Sequence, residues 1–212
     1  MKVGILGSGA VGRTLAAGFM KHDYDVAIGT RDPAKLADWG REHSRARIAS
    51  FAEAAGFGEV AVLSVRGTAA ADALRAAGPR ALAGKTVIDT TNPIADAPPQ
   101  HGVLKFFTSL DESLMERLQR QFPDLHFVKA FNSVGSERMV DPEFAAGKPT
   151  MFICGNEAQA KQTVTRVLGQ FGWDTADMGG VEAARAIEPL CMLWCIPALL
   201  HNQRTHAFKL IK

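Results

Sequence analysis

Little in this chain of 212 residues could hold it together through covalent or metal chemistry. Its three cysteines, Cys154, Cys191 and Cys195, are odd in number and none falls in CxxC spacing. That excludes a disulfide-framed secreted domain and predicts free thiols in a reducing cytoplasm. Six histidines are scattered, without an HxxxH pair or a nearby carboxylate cluster, so no metal site is expected. A formal net charge of +2 is too near zero to predict a nucleic-acid partner. No run approaches the ~18 apolar residues of a membrane span, so no membrane partner is expected. The N-terminus has one lysine and passes straight into a strand-like run, which does not read as a signal peptide. Repeats, low-complexity tracts and convincing linkers are also absent.

What is present is core-forming sequence, 47% hydrophobic, and a glycine motif at the very start. The apolar run Val3 to Leu6 reads as a buried strand. Gly7, Gly9 and Gly12 follow in GxGxxG spacing, and a helix-like stretch from Arg13 to Lys21 comes next. Gly7 allows a tight turn, Gly9 lets the backbone approach a pyrophosphate, and Gly12 lets helix and strand pack closely. The pyrophosphate is expected at the helix N-terminus, on free N–H groups and the positive end of the dipole.

The second strand, Tyr24 to Ile28, selects the dinucleotide. It ends in Gly29-Thr30-Arg31-Asp32-Pro33. An NAD site places an acid near this tip for the ribose 2′-hydroxyl, whereas an NADP site has polar and basic groups for a 2′-phosphate. Thr30 offers a hydroxyl and Arg31 a planar fork suited to phosphate, and Lys35 adds a second cation. Asp32 is the rival ribose acid, since it lies 20 residues after Gly12 (32 − 12). Because it precedes Pro33, it reads instead as the N-cap of a helix from Pro33 to about His43. The tip therefore points to NADP(H).

Further strands are expected over Glu59–Ser64, Thr86–Asp89, His126–Ala130, Pro149–Cys154 and Trp173–Ala176. Helices are expected over Phe51–Ala55, Ala69–Ala77, Ser109–Phe122 and Glu157–Gln170. Ser109 with Glu112 reads as a capping box for the third of these helices. Ile94 to Gly102 reads as a polar, Pro-rich loop. This βαβα rhythm predicts an α/β fold, a doubly wound, mainly parallel sheet of Rossmann type with a short C-terminal helical extension. The division expected is an NADP-binding domain over 1–179 and an extension over 180–212 that completes the cleft or a dimer interface.

Four segments together carry a resemblance: Gly7–Gly12; Gly29-Thr30-Arg31-Asp32 with Lys35; Asp89-Thr90-Thr91-Asn92-Pro93; and Val128-Lys129-Ala130-Phe131-Asn132. The chain resembles the NADP oxidoreductase family that uses the deazaflavin coenzyme F420, nearly from end to end. It is also similar to the cytosolic oxidoreductase domain of membrane ferric reductases. The resemblance implies hydride transfer between NADP(H) and a flat small-molecule acceptor, coenzyme F420 or a flavin. Such a step needs positioning more than side-chain chemistry, and no catalytic residue stands out. The strand tips supply the cleft candidates: Ser64, Val65 and Arg66; Thr91, Asn92 and Pro93; Ala130, Phe131 and Asn132. The cofactor-binding set is then Gly7, Ser8, Gly9, Ala10, Val11, Gly12, Thr30, Arg31, Lys35, Ser64, Val65, Arg66, Asn92, Pro93, Ala130 and Asn132. Arg66 departs from the family pattern and reads equally as a pyrophosphate or acceptor contact and as a solvated cation. Arg66 and Lys129 are the nearest cations for an acidic acceptor tail, unless Lys129 points away by strand alternation. Phe131 either stacks on the acceptor or fills the core. Reduction of a small imine or carbonyl and a non-catalytic NADP-binding regulator are the alternatives. The former usually needs an added helical domain, and only 32 residues follow Gly180 (212 − 180).

The apolar run Leu190 to Ile196 is too short to span a bilayer. It reads as core, as a wall of the acceptor pocket, or as the interface of a homodimer, with the interface favoured. Cys191 and Cys195, four apart, read as buried thiols. His201 to Lys212 reads as a solvated tail.

Overall fold

The computed structural model describes Met1–Ile211. Its strands are β1 (Lys2–Leu6), β2 (Asp25–Gly29), β3 (Arg47–Ala49), β4 (Val60–Leu63), β5 (Thr86–Asp89), β6 (His126–Lys129), β7 (Thr150–Ile153) and β8 (Asp174–Asp177). The helices are α1 (Ala10–Lys21), α2 (Ala37–Glu42), α3 (Phe51–Phe57), α4 (Ala70–Ala77), α5 (Pro79–Leu82), α6 (Leu114–Gln121), α7 (Ala158–Gln170) and α8 (Ala184–His201). Six strands form one sheet in the order β3-β2-β1-β4-β5-β6, and every pairing is parallel. This is the expected doubly wound Rossmann-type fold. Chain direction across the sheet reverses between β1 and β4, so a crevice opens there beyond the strand ends. Strands β7 and β8 make a separate parallel pair, tied to the main sheet by an antiparallel bridge between Lys129 and Cys154.

Both faces of the sheet are covered, which is why β1 and β4 read as apolar runs rather than alternations. On one face Ile5, Leu15, Phe19, Val62, Val128, Val164 and Phe171 pack together. On the other, Leu6, Leu63, Leu74, Val87, Leu118 and Phe127 pack among alanines such as Ala54, Ala61 and Ala73. The small residues let α3 and α4 lie close on the sheet.

Several local expectations are corrected. The segment from Pro33 begins as a 3₁₀ turn, Pro33–Leu36, and only then becomes α2. Strand β3 was not anticipated. The capping box belongs to Ser113 and Glu116, not to Ser109 and Glu112. Ser109 and Glu112 are paired by a local bridge before α6 starts. Segment 93–107 is an antiparallel hairpin rather than a loop. The Phe107 N–H donates to the Pro93 carbonyl (2.9 Å), the Ala95 N–H donates to the Lys105 carbonyl (2.8 Å), and Gln100 pairs with Val103.

The C-terminal segment is not a solvated tail over its described residues. The Thr150 N–H donates to the Phe208 carbonyl at 2.8 Å, so the chain returns beside β7. Trp194 Nε1 donates to the His206 carbonyl (2.8 Å), and the two rings stack at 4.9 Å. Lys212 lies outside the described residues. The expectation that no segment approaches span length is also corrected. The helical segment Val181–His201, 21 residues, is long and apolar enough to cross a bilayer by length and composition. Ala184, Ile187, Glu188 and Cys191 of its first half are buried against the rest of the fold. Beside them Arg185 grips Glu116 of α6 (2.5 Å), and that guanidinium, opposed by partial burial, holds the Glu116 carboxyl down at about 2. Cys191 is buried and Cys195 half-buried.

Candidate functional site

The crevice at the switch point is a cleft of about 1430 Å³. That exceeds the roughly 300–1,000 Å³ typical of sites for one drug-sized ligand. It is lined by the tips of β1, β2, β4 and β5, one face of α4 and the first residues of the hairpin.

The three motif glycines have different duties. Gly7 has φ +132°, a conformation side chains avoid, and a Cβ there would collide with the Ser64 carbonyl. A Cβ at Gly12 would collide with the Gly7 carbonyl, so α1 seats directly on the turn. A Cβ at Gly9 would meet no protein atom within 4 Å. Nothing in the fold requires glycine at position 9, and the open space above it at the start of α1 is the cradle a pyrophosphate needs. The residues present therefore fit a dinucleotide.

At the tip of β2, Thr30 is buried and its hydroxyl is already occupied. It accepts from Ser8 Oγ (3.0 Å) and from the Asp32 N–H (3.2 Å). Thr30 thus shapes the turn as much as it faces a ligand. Asp32 accepts from the Ala34 N–H at 3.2 Å, capping the 3₁₀ turn as its sequence position before Pro33 implies. Arg31 is exposed on the cleft wall. Lys35 lies 3.8 Å from Asp32 with its side chain 80% exposed, a pairing weak enough to yield to a stronger anion. Two cations therefore flank this end of the cleft, and its one acid is turned into a helix start.

At the tip of β4, Ser64 Oγ donates to the Leu6 carbonyl (3.3 Å) and Val65 lines the cleft. Arg66 reaches Asp96 of the hairpin at 3.7 Å, with both side chains largely exposed. At the tip of β5, Thr90 donates to the Leu63 carbonyl (3.0 Å). Asn92 Nδ2 donates to the Asn132 carbonyl (2.8 Å), and Asn132 Nδ2 donates to Asn92 Oδ1 (3.1 Å) and the Ile187 carbonyl (3.0 Å).

Twelve of the sixteen anticipated cofactor residues line the cleft: Gly7, Ser8, Gly9, Ala10, Val11, Thr30, Arg31, Lys35, Ser64, Val65, Arg66 and Asn92. The other four do not. Gly12, Pro93, Ala130 and Asn132 are buried behind the wall. Phe131 is fully buried and packs toward Phe171 (6.1 Å), so it fills the core instead of facing an acceptor. Its φ of +61° is strained for a bulky residue, and it turns the chain so that Asn132 meets Asn92. Lys129, considered as a cation for an acidic ligand, has no exposure at all. Its ammonium contacts Asp89 (2.7 Å) and Glu188 (2.9 Å). Burial alone would lower its pKa, but the two carboxylates reverse that and hold it above the ordinary lysine value. Burial pushes the neighbouring Cys154 thiol up to about 12, so it is inert.

Sequence reasoning missed Phe51, the α4 wall and the hairpin residues Ile94 to Pro98. The wall had a signal. Ala69, Ala73 and Ala76 recur at helical spacing, a flat apolar strip with Asp72 at its edge.

The family described as NADP oxidoreductase coenzyme F420-dependent matches residues 2–93. Rat metalloreductase STEAP3 is 33% identical over 204 residues, covering 94% of this chain and 39% of that protein. Human metalloreductase STEAP2 is 28% identical, with coverage of 93% and 38%. The chain thus spans about two fifths of the length of the curated relatives it matches. A crystal structure from Arthrobacter sp. FB24, provisionally assigned as an F420-dependent NADP reductase, superposes with a TM-score of 0.94. The two are 34% identical, and the match covers 100% of both chains. An imine reductase from Streptomyces aurantiacus shares the fold (TM-score 0.70) at 18% identity; the match covers 94% of this chain and 63% of that one.

Gly9→Val tests the cradle. A Cβ at this position meets no protein atom within 4 Å, so thermal stability is expected to stay near that of the parent, while dinucleotide binding by calorimetry is abolished. Retained normal binding places the pyrophosphate elsewhere.

Proposed function

The chain belongs to the coenzyme F420-dependent NADP oxidoreductase family, and on that premise we propose that it moves a hydride from NADPH to a flat acceptor, a deazaflavin or a flavin. It is an NADP-dependent oxidoreductase; the acceptor is the proposed part. The observation that carries it is the continuation of the cleft past the nucleotide cradle, between the β4 and β5 tips and the hairpin. That region is lined largely by small residues such as Ala69, Ala73, Ala76, Ala95 and Ala97, with Asp72 and the Arg66–Asp96 contact as its charged groups. Bound NADPH supplies two electrons and one proton as hydride, and the acceptor takes a second proton from water.

The chain's own residues orient and exclude. The Gly9 cradle and the start of α1 hold the pyrophosphate. Arg31 and Lys35 take the 2′-phosphate. The Asn92–Asn132 pair fixes the floor, and Arg66 offers a cation to an acidic acceptor group in exchange for Asp96. Reduction of a small imine is less favoured, because the imine reductase similar in fold is only 18% identical and shares the fold alone. The free thiols suit a reducing compartment such as the cytoplasm. We also propose a homodimer through the second half of α8, where Leu193, Leu199 and Leu200 stand about half exposed.

Arg31→Ala removes a charge-assisted contact of about 1.5–3 kcal/mol. NADPH should bind roughly ten- to hundredfold more weakly, with NADH nearly unchanged. Equal affinity of the unmutated protein for the two cofactors contradicts the NADP assignment. Stopped-flow oxidation of bound NADPH by a panel of deazaflavin, flavin, quinone, ferric chelate and cyclic imine identifies the acceptor. Turnover with a deazaflavin or a flavin, slowed by Arg66→Ala, is expected, and turnover with the imine alone overturns the proposal. Light scattering at micromolar concentration should give a dimer mass; a monomer refutes the α8 interface.

A further inference from the structure

Behind the cleft floor lies a charged cluster that the proposed hydride transfer does not touch directly. Asp89 and Lys129 have no exposure and Glu188 is 1% exposed. The Lys129 ammonium donates to the Thr91 carbonyl (2.8 Å) and lies 2.7 Å from Asp89 Oδ2 and 2.9 Å from Glu188 Oε1. Glu188 also accepts from the Leu114 N–H (2.9 Å) and the Met115 N–H (3.0 Å) at the start of α6. Asp89 accepts from the Thr91 N–H (2.9 Å) and the Thr91 hydroxyl (2.6 Å). Asp89 Oδ1 and both Glu188 oxygens are thus met by backbone or hydroxyl donors, and Asp89 Oδ2 faces the ammonium. By formal charge, two carboxylates and one ammonium leave one net negative charge among side chains buried from solvent. Arg185, the nearest further cation along α8, is committed to Glu116. The N-terminus of α6 offsets part of the charge, about half a unit, at the Glu188 end.

Thr91 connects this cluster to the cleft. It lines the cleft, while its N–H, hydroxyl and carbonyl are all held by Asp89 and Lys129. A dinucleotide with its pyrophosphate on the β1 turn would extend its nicotinamide half toward the β4 and β5 tips, where Thr91 and Asn92 line the cleft. That ring is positively charged when oxidised and neutral when reduced.

We propose that the Asp89–Lys129–Glu188 cluster is an electrostatic positioning element that favours the oxidised nicotinamide, making bound NADPH a stronger hydride donor. This rests on the NADP reading of the cleft. Fixed charge near a site where charge develops acts without reorganisation, which is how preorganised groups favour one side of a reaction. A net charge of half to one unit at about 10 Å, at an effective dielectric near 20, corresponds to roughly a four- to twentyfold preference.

Glu188→Gln and Asp89→Asn each bring the cluster to neutrality. The measurement is the pair of dissociation constants for NADP⁺ and NADPH by calorimetry, with thermal melting as the check on folding. The expected result is a roughly four- to twentyfold rise in the ratio Kd(NADP⁺)/Kd(NADPH) in both variants. A purely structural cluster would weaken both nucleotides alike, and an unchanged ratio in a folded variant overturns the proposal. If neither variant folds, the unmutated protein decides: NADP⁺ binding more weakly than NADPH overturns it. If the unmutated protein binds neither nucleotide, the NADP reading fails first, and the inference falls with it.

Discussion

An ammonium with no exposure to water costs several kcal/mol to bury, and removing one partner from such a group is more damaging than never having built it. Lys129 imposes that constraint on this fold. Its position at the end of β6 obliges β5 to end in Asp89 and obliges α8 to bring Glu188 within reach. Glu188 in turn supplies the acceptors that the first N–H groups of α6 need. Two strands of the sheet, the helix that follows the hairpin and the C-terminal helix are thereby fixed by one charge cluster. The buried half of α8 is for the same reason an integral layer of the domain and not a free apolar segment.

The sequence disclosed those parts of the fold whose signals are local. Apolar runs bounded by glycine marked β1, β4 and β5, and Asp32 before Pro33 marked a cap that the structure contains. It did not disclose the start of α6, because Ser109–Glu112 and Ser113–Glu116 both fit a capping box. The choice is settled by Glu188, which reaches the Leu114 and Met115 N–H groups from a distant helix. Strand β3 was hidden because Arg47-Ile48-Ala49 has neither the length nor the alternation of a strand signal, and parallel pairing with β2 alone defines it. The hairpin over 93–107 was hidden by its prolines, Pro93, Pro98 and Pro99, each of which removes an N–H from the ladder and reads as loop.

The candidate site shows the same division. The nucleotide cradle was legible because each glycine answers to a nearby backbone or to open space. The far end of the cleft was not, because its shape depends on partners brought from three elements. Ala130, Phe131 and Asn132 follow the tip of β6 and look like ligand contacts. The left-handed backbone at Phe131 instead turns its ring into the core and Asn132 under Asn92. Beside Arg66, Thr91 and Asn92, the residues that face the cleft there come from α4 and the hairpin, and no motif named those.

A site without an acid–base pair is consistent with the chemistry assigned to it. Hydride transfer requires two rings held in contact and water kept away, and it requires little from side chains in the step itself. Among the described residues, Arg66 and Asp96 form the one charged contact between the β4 tip and the hairpin. With side chains 86% and 79% exposed, the pair is worth at most about 1 kcal/mol. The hairpin is held instead at its base, by the Pro93–Phe107 hydrogen bond, and near its tip, where Gly102 lies against Leu200. An acidic acceptor group can therefore replace Asp96 on Arg66 at little cost, without unseating the hairpin. On the proposed reading, selectivity for the acceptor falls to the shape of the cleft and to one exchangeable cation, and the NADP end to the glycine turn and the exposed Arg31 and Lys35. The two ends of the cleft are thus built on different principles, rigid at the cofactor and permissive at the acceptor.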